Sequence, residues 1–97
     1  MNKDVILDKA LEYGIGIDLN GYNIENLQTE VDDYISNVFS CETKIKNKDI
    51  ICSLNNQNIV SVVVDKQGLF FRDIQNKKEA TKFVAPLVKF FVNKTFC

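Results

Sequence analysis

Residues 58–74, NIVSVVVDKQGLFFRDI, decide the fold. Ile59 to Val64 is the most apolar run in the chain, and a second apolar run starts at Leu69. Between them Asp65-Lys66-Gln67-Gly68 carries the residue types of a tight turn. Val, Ile and Phe dominate both runs, and such side chains fit a pleated, half-buried surface better than a helix. The pattern predicts a β-hairpin at the centre of a small antiparallel sheet, with strands over 59–65 and 69–74.

Working outward, residues 43–54 begin polar and basic (Lys44, Lys46, Lys48) and end apolar, with Ile50, Cys52 and Leu54 alternating. This reads as the first sheet strand. Asn55-Asn56-Gln57-Asn58 reads as the turn into the next, because Asn tolerates the left-handed conformation. Two short turns predict a three-stranded antiparallel meander. Val60, Val62 and Val64 share one face. Ile59 and Val63, with Ile51, Leu69 and Phe71, would form a second apolar face, which pairs with another copy of the chain if no helix covers it.

Helices flank this sheet. Residues 3–13 carry Ile6, Leu7, Ala10 and Leu11 at helical spacing, with Asn2 as N-cap, Asp4 where the helix dipole favours an anion, and Gly14 as the stop. Ile15, Ile17 and Leu19 alternate as a short edge strand would, and Asn20-Gly21 marks a turn. Asn23 opens a second helix running to about Phe39, with Ile24, Leu27, Val31, Tyr34, Ile35 and Val38 as its apolar stripe. Asn76-Lys77-Lys78-Glu79 is a capping box. The helix behind it packs through Ala80, Phe83, Val84, Leu87, Val88 and Phe91, and Pro86 predicts a kink or break near Ala85. The order is α-α-β-β-β-α, an α+β fold in one domain over residues 1–97.

Composition narrows the function. The 97 residues are 45% hydrophobic and 26% charged, as in ordinary globular domains. The chain lacks a run long enough for a membrane helix, and its start does not resemble a secretory signal, so the expectation is a cytoplasmic protein without membrane contact. Histidine is absent, and with it the commonest general base and metal ligand. The four glycines form no phosphate loop. Asp32 and Asp33 are adjacent on a helix and diverge, so they do not converge on a substrate. Cys41, Cys52 and Cys97 fit neither a zinc pattern nor a disulfide framework and read as reduced thiols. The expectation is a protein that is not an enzyme, with no cofactor and no metal.

Charge is where the sequence is unusual. The net charge is −1, yet residues 1–42 hold nine acidic and two basic residues, a balance of −7, and residues 43–97 hold a balance of +6. Two oppositely charged halves either attract each other in the fold or face charged partners. No Lys or Arg lies between Asp18 and Glu42. Asp18, Glu25, Glu30, Asp32 and Asp33 are therefore the candidate partner-binding residues, with Glu12 nearby if the first two helices pack together.

Two family resemblances follow. A small domain without catalytic groups, with an acidic helical side and an apolar sheet, is similar to small phage-encoded inhibitors, including anti-CRISPR proteins. That resemblance implies an inhibitor or adaptor that occupies a nucleic-acid site on a host protein by placing carboxylates where phosphates would lie. The Asn-, Lys- and Ile-rich composition fits an AT-rich coding source of that kind. The strand-strand-strand-helix run whose last helix opens Lys77-Lys78-Glu79-Ala80 resembles the second half of a double-stranded-RNA-binding domain. This alternative implies RNA or DNA contact through Lys77, Lys78 and Lys82. The chain departs from that family at Asn55–Asn58, which lacks the family's Gly-Pro and His contacts, and in its acidic second helix, which opposes phosphate.

Overall fold

The computed structural model describes residues 3–96; Asn2 and Cys97, with the Asp4 side chain, lie outside what it describes. The elements are α1 (Lys3–Tyr13), β1 (Ile15–Gly16), α2 (Ile24–Phe39), β2 (Glu42–Lys46), β3 (Asp49–Leu54), β4 (Gln57–Asp65), β5 (Gly68–Arg72) and α3 (Lys77–Phe96). The fold is α+β, as the residue pattern predicts. Its sheet has five strands rather than three, all antiparallel, in the order β1-β5-β4-β3-β2.

The two additional strands have local causes. The stretch over 43–54 is a hairpin, not one strand, because Asn47 takes φ +57° and the chain reverses at Asn47-Lys48. That puts β2 on the sheet edge, in register from Glu42 opposite Ser53 to Lys46 opposite Asp49. Edge Lys residues suit this position, since they discourage pairing with a further strand. β1 pairs Ile15 with Leu69 and Gly16 with Gly68. The backbone then continues alongside the β4–β5 turn, where the Ile17 and Leu19 amides donate to the Gln67 and Lys66 carbonyls.

The β3–β4 turn is only two residues long. Asn55 and Asn56 both have positive φ, 52° and 65°, the mirror-image turn whose twist matches a hairpin. Strand β4 therefore starts at Gln57 rather than Ile59. Between Cys52–Val60 and Ser53–Asn58 the register shifts, leaving Ile59 as an extra residue on β4. This bulge turns Ile59 into the helix-side core and frees its carbonyl to accept from the Gln75 and Asn76 amides.

All three helices cover one sheet face. Val60, Val62 and Val64 meet Leu27, Val31 and Ile35 of α2 and Phe83, Leu87 and Phe91 of α3 in one core. Register places Phe71 opposite Val62 and Leu69 opposite Val64, so both belong to this face and not, with Ile59, to the second one. The other face carries Ile51, Ser61, Val63 and Phe70, flanked by Lys44, Lys46, Asp49 and Arg72. Its centre is shielded by neighbouring side chains, and Val63 is only 2% exposed. The shortest molecular axis, 20 Å, is the thickness of one helix layer on one sheet.

Helix boundaries follow their caps. The Asn23 side chain accepts from the Asn26 amide, and Asn76 from the Glu79 amide. The second half of the expected capping box is absent: the Glu79 carboxylate bonds Lys82, and the Asn76 amide is used by Ile59. α3 continues through Pro86 without a break, so of the kink or break expected near Ala85 the break does not occur. The Pro86 carbonyl accepts from the Tyr34 hydroxyl at 3.0 Å, tying α2 to α3. Val38, expected in the α2 stripe, is 48% exposed; Phe39 takes its place, 4.3 Å from the ring of Phe83.

Candidate functional site

At about 100° per residue, Glu25 and Asp32 fall on nearly the same line of α2, with Asp33 about 80° and Glu30 about 140° further round. The five acidic candidates are thus spread over a wide arc, and their surroundings separate them. Glu25 and Asp33 are exposed, and among the described residues neither has an ion-pair partner. Glu30 pairs with Lys94 of α3 at 2.7 Å. Asp18 lies in the loop after β1 and accepts from the Asn20 amide at 3.0 Å and from its side chain at 2.9 Å.

Asp32 turns inward. Its Oδ1 is buried without a hydrogen-bond partner among the described residues. It lies near two free, buried thiols, Cys41 and Cys52. Burial pushes the Cys52 thiol up to about 12, and Cys41 and the Asp32 charge add to the rise. Cys41 is also raised, mainly by burial. Ser36, one turn along from Asp32, shares a 2.9 Å hydrogen bond with Thr43 of β2. This corner is packing between α2 and the sheet, and Asp32 belongs to it more than to the outer side.

The lysine candidates are also partly occupied. Lys77 pairs with Asp8 of α1 at 3.4 Å, and Lys82 with Glu79 at 3.0 Å. Lys78 is exposed with no ion-pair partner among the described residues. Lys77–Asp8 and Lys94–Glu30 both join the basic half of the chain to the acidic half, so part of the charge asymmetry is spent inside the molecule. Such exposed pairs contribute little stability, typically under about 1 kcal/mol each.

Beside α2 there is a feature the sequence reading missed. The first turns of α2 (Ile24, Glu25, Gln28, Thr29) and the β2–β3 and β4–β5 turns enclose a cleft of about 750 Å³. Its three parts are 16 to 43 residues apart in sequence, and no local pattern announces it. A second cleft, about 700 Å³, is lined by the Asn55–Asn58 segment, Gln75, Asn76 and Glu79. Among the described residues no three His, Cys, Asp or Glu side chains are grouped to hold a metal ion, and no helix is long and apolar enough to cross a membrane. The chain matches no model of a known protein family, and neither curated proteins nor solved structures gave a match.

Proposed function

We propose that the protein is a non-enzymatic binding protein, an inhibitor or adaptor that engages a cationic surface of a protein partner through the outer side of α2. One observation carries this reading: the 16 residues of α2 include no Lys or Arg, while Glu25 and Asp33 stand exposed and, among the described residues, without an ion-pair partner. They are about 12 Å apart along the helix at 1.5 Å per residue. Glu30 adds a third carboxylate when Lys94 is drawn away, and Asp18 extends the acidic set into the loop before the helix. Carboxylates spread over the outer arc of one helix suit a surface that otherwise accepts phosphates, so a nucleic-acid-binding host protein is the partner class. Many small phage-encoded inhibitors, including anti-CRISPR proteins, which the chain resembles in architecture and composition, work in this way.

The test is capture from a host lysate with the wild type and the Glu25→Lys/Asp33→Lys variant as bait. Asp32 is left intact because its burial would confound binding with folding. A partner held by the wild type and weakened about tenfold or more in the variant, with an unchanged circular dichroism spectrum, supports the reading. Equal capture by both overturns it.

A second reading is nucleic-acid binding at the start of α3. It is favoured by Lys78, which is exposed and, among the described residues, without an ion-pair partner in the first turn of α3. A gel shift on duplex RNA and DNA is expected to weaken steeply with salt if Lys77, Lys78 and Lys82 contact phosphates. No shift at micromolar protein in low salt retires it.

A further inference from the structure

We infer that the cleft between α2 and the two hairpin turns is a binding site for a short peptide carrying a cationic and an anionic side chain on either side of an apolar one. Three observations lead there. The first is size. At about 750 Å³ the cleft lies within the range of small-ligand sites and accommodates two to three residues.

The second is its floor and walls. Ile24 and Val64 supply apolar surface, and Val64 is a core residue of β4. Two of the walls are tied together: Gln28 Nε2 donates to the Asn47 carbonyl at 3.1 Å, joining α2 to the β2–β3 turn. On the other side the Asp65 carboxylate accepts from the Gln67 amide at 2.8 Å and fixes the β4–β5 turn. These two hydrogen bonds order the turns that line the cleft, which lowers the ordering cost of binding.

The third is charge. Glu25 lines the cleft from the helix wall, and Lys48, Lys66 and Asp65 from the turn walls, the Asp65 carboxylate already accepting from the Gln67 amide. None of the other three, Glu25, Lys48 and Lys66, has an ion-pair partner among the described residues. A ligand with its cation toward Glu25 and its anion toward Lys48 and Lys66 satisfies all three at once and places its apolar side chain over Ile24 and Val64. The inference shares only Glu25 with the acidic side of α2, and it holds whether or not that side binds a cationic protein.

The test is a titration of the full-length, nitrogen-labelled protein with the blocked tripeptide N-acetyl-Arg-Leu-Glu-amide at millimolar concentration, followed by amide shifts. Saturable shifts confined to residues 24–29, 47–48 and 64–67 are expected. The Lys48→Gln/Lys66→Gln variant, which leaves Glu25 and Asp33 untouched, is expected to bind roughly fivefold more weakly, the scale of exposed charge contacts. The blocked Gln-Leu-Gln peptide is expected to bind no better than that variant binds the charged one. Absence of saturable shifts, equal binding of the neutral peptide, or an unchanged affinity in the lysine variant would each overturn the inference.

Discussion

Gly68 shows how one residue can hold an edge of this sheet. It has φ +137°, and a Cβ there would collide with the Ile15 carbonyl oxygen and come within 2.9 Å of the Ile17 nitrogen. The close approach of β1 to β5 therefore depends on glycine. Gly68→Ala is expected to lower stability by about 2–3 kcal/mol in urea denaturation. Gly16→Ala, one strand away, meets nothing within 4 Å and should stay within about 0.5 kcal/mol. The buried thiols make a second residue-scale prediction. An unfolded thiol ionises near 9.0, whereas Cys52 in the fold holds its proton to about 12. Between those values the native state binds more protons than the unfolded one, so stability is fully present below pH 9 and falls as pH rises toward 12. The slope approaches 1.4 kcal/mol per pH unit for this thiol. Measuring urea midpoints from pH 8 to 11 on a Cys97→Ser background checks it; a flat profile contradicts the burial of Cys52. At this scale much was legible in the sequence. The caps Asn23 and Asn76 act on nearby backbone, so their roles could be read directly. Asp32 could not, because its neighbours Cys41 and Cys52 reach it only through the packing of α2 on the sheet.

The elements divide according to how local their causes are. α2 and α3 follow from spacing: Leu27, Val31 and Ile35, then Ala80, Phe83, Val84, Leu87 and Phe91, are the buried positions. β4 likewise follows from its valines. The hairpin at Asn47-Lys48 was missed because its flanking strand, ETKIK, has a single apolar residue and reads as the polar start of the strand that follows. Such an edge strand forms because β3 offers it backbone partners, not because its own side chains ask for it. The turns are where elements can be tuned. Asn55-Asn56 has positive φ at both positions, so Asn56→Gly should add about 0.5–1 kcal/mol and Asn56→Val remove about 1–2, read from thermal melts. If Val is tolerated as well as Gly, the two-residue mirror turn is wrong. Pro86 illustrates the opposite case, a local rule overridden: the helix persists because Leu87 and Phe91 beyond it are fully buried, and that packing outweighs one lost backbone bond.

For the whole molecule the consequence is a two-layer slab with one face open. The open face has a narrow apolar strip, Ile51, Val63 and Phe70, ringed by Lys44, Lys46, Asp49 and Arg72, with Arg72 and Asp49 paired at 3.6 Å. Such a strip gives a self-associating face little to bury, so light scattering at micromolar concentration is expected to give the mass of one chain, 11.1 kDa. A doubled mass that Phe70→Lys returns to a single chain would make this face a dimer interface. The sequence by itself determined the α+β class, both long helices, the central hairpin and the charge asymmetry. Each of these arises from neighbours a few residues apart, through side-chain periodicity, capping and composition. Tertiary structure alone decided which charges are available, because Lys94 meets Glu30 across 64 residues and Lys77 meets Asp8 across 69. It also decided that Leu69 and Phe71 face the helices, since strand register assigns a face and a one-residue difference reverses it. The cleft at α2 belongs to that same class: Glu25, Lys48 and Lys66 share a site only because α2 and two hairpin turns end at the same edge of the slab.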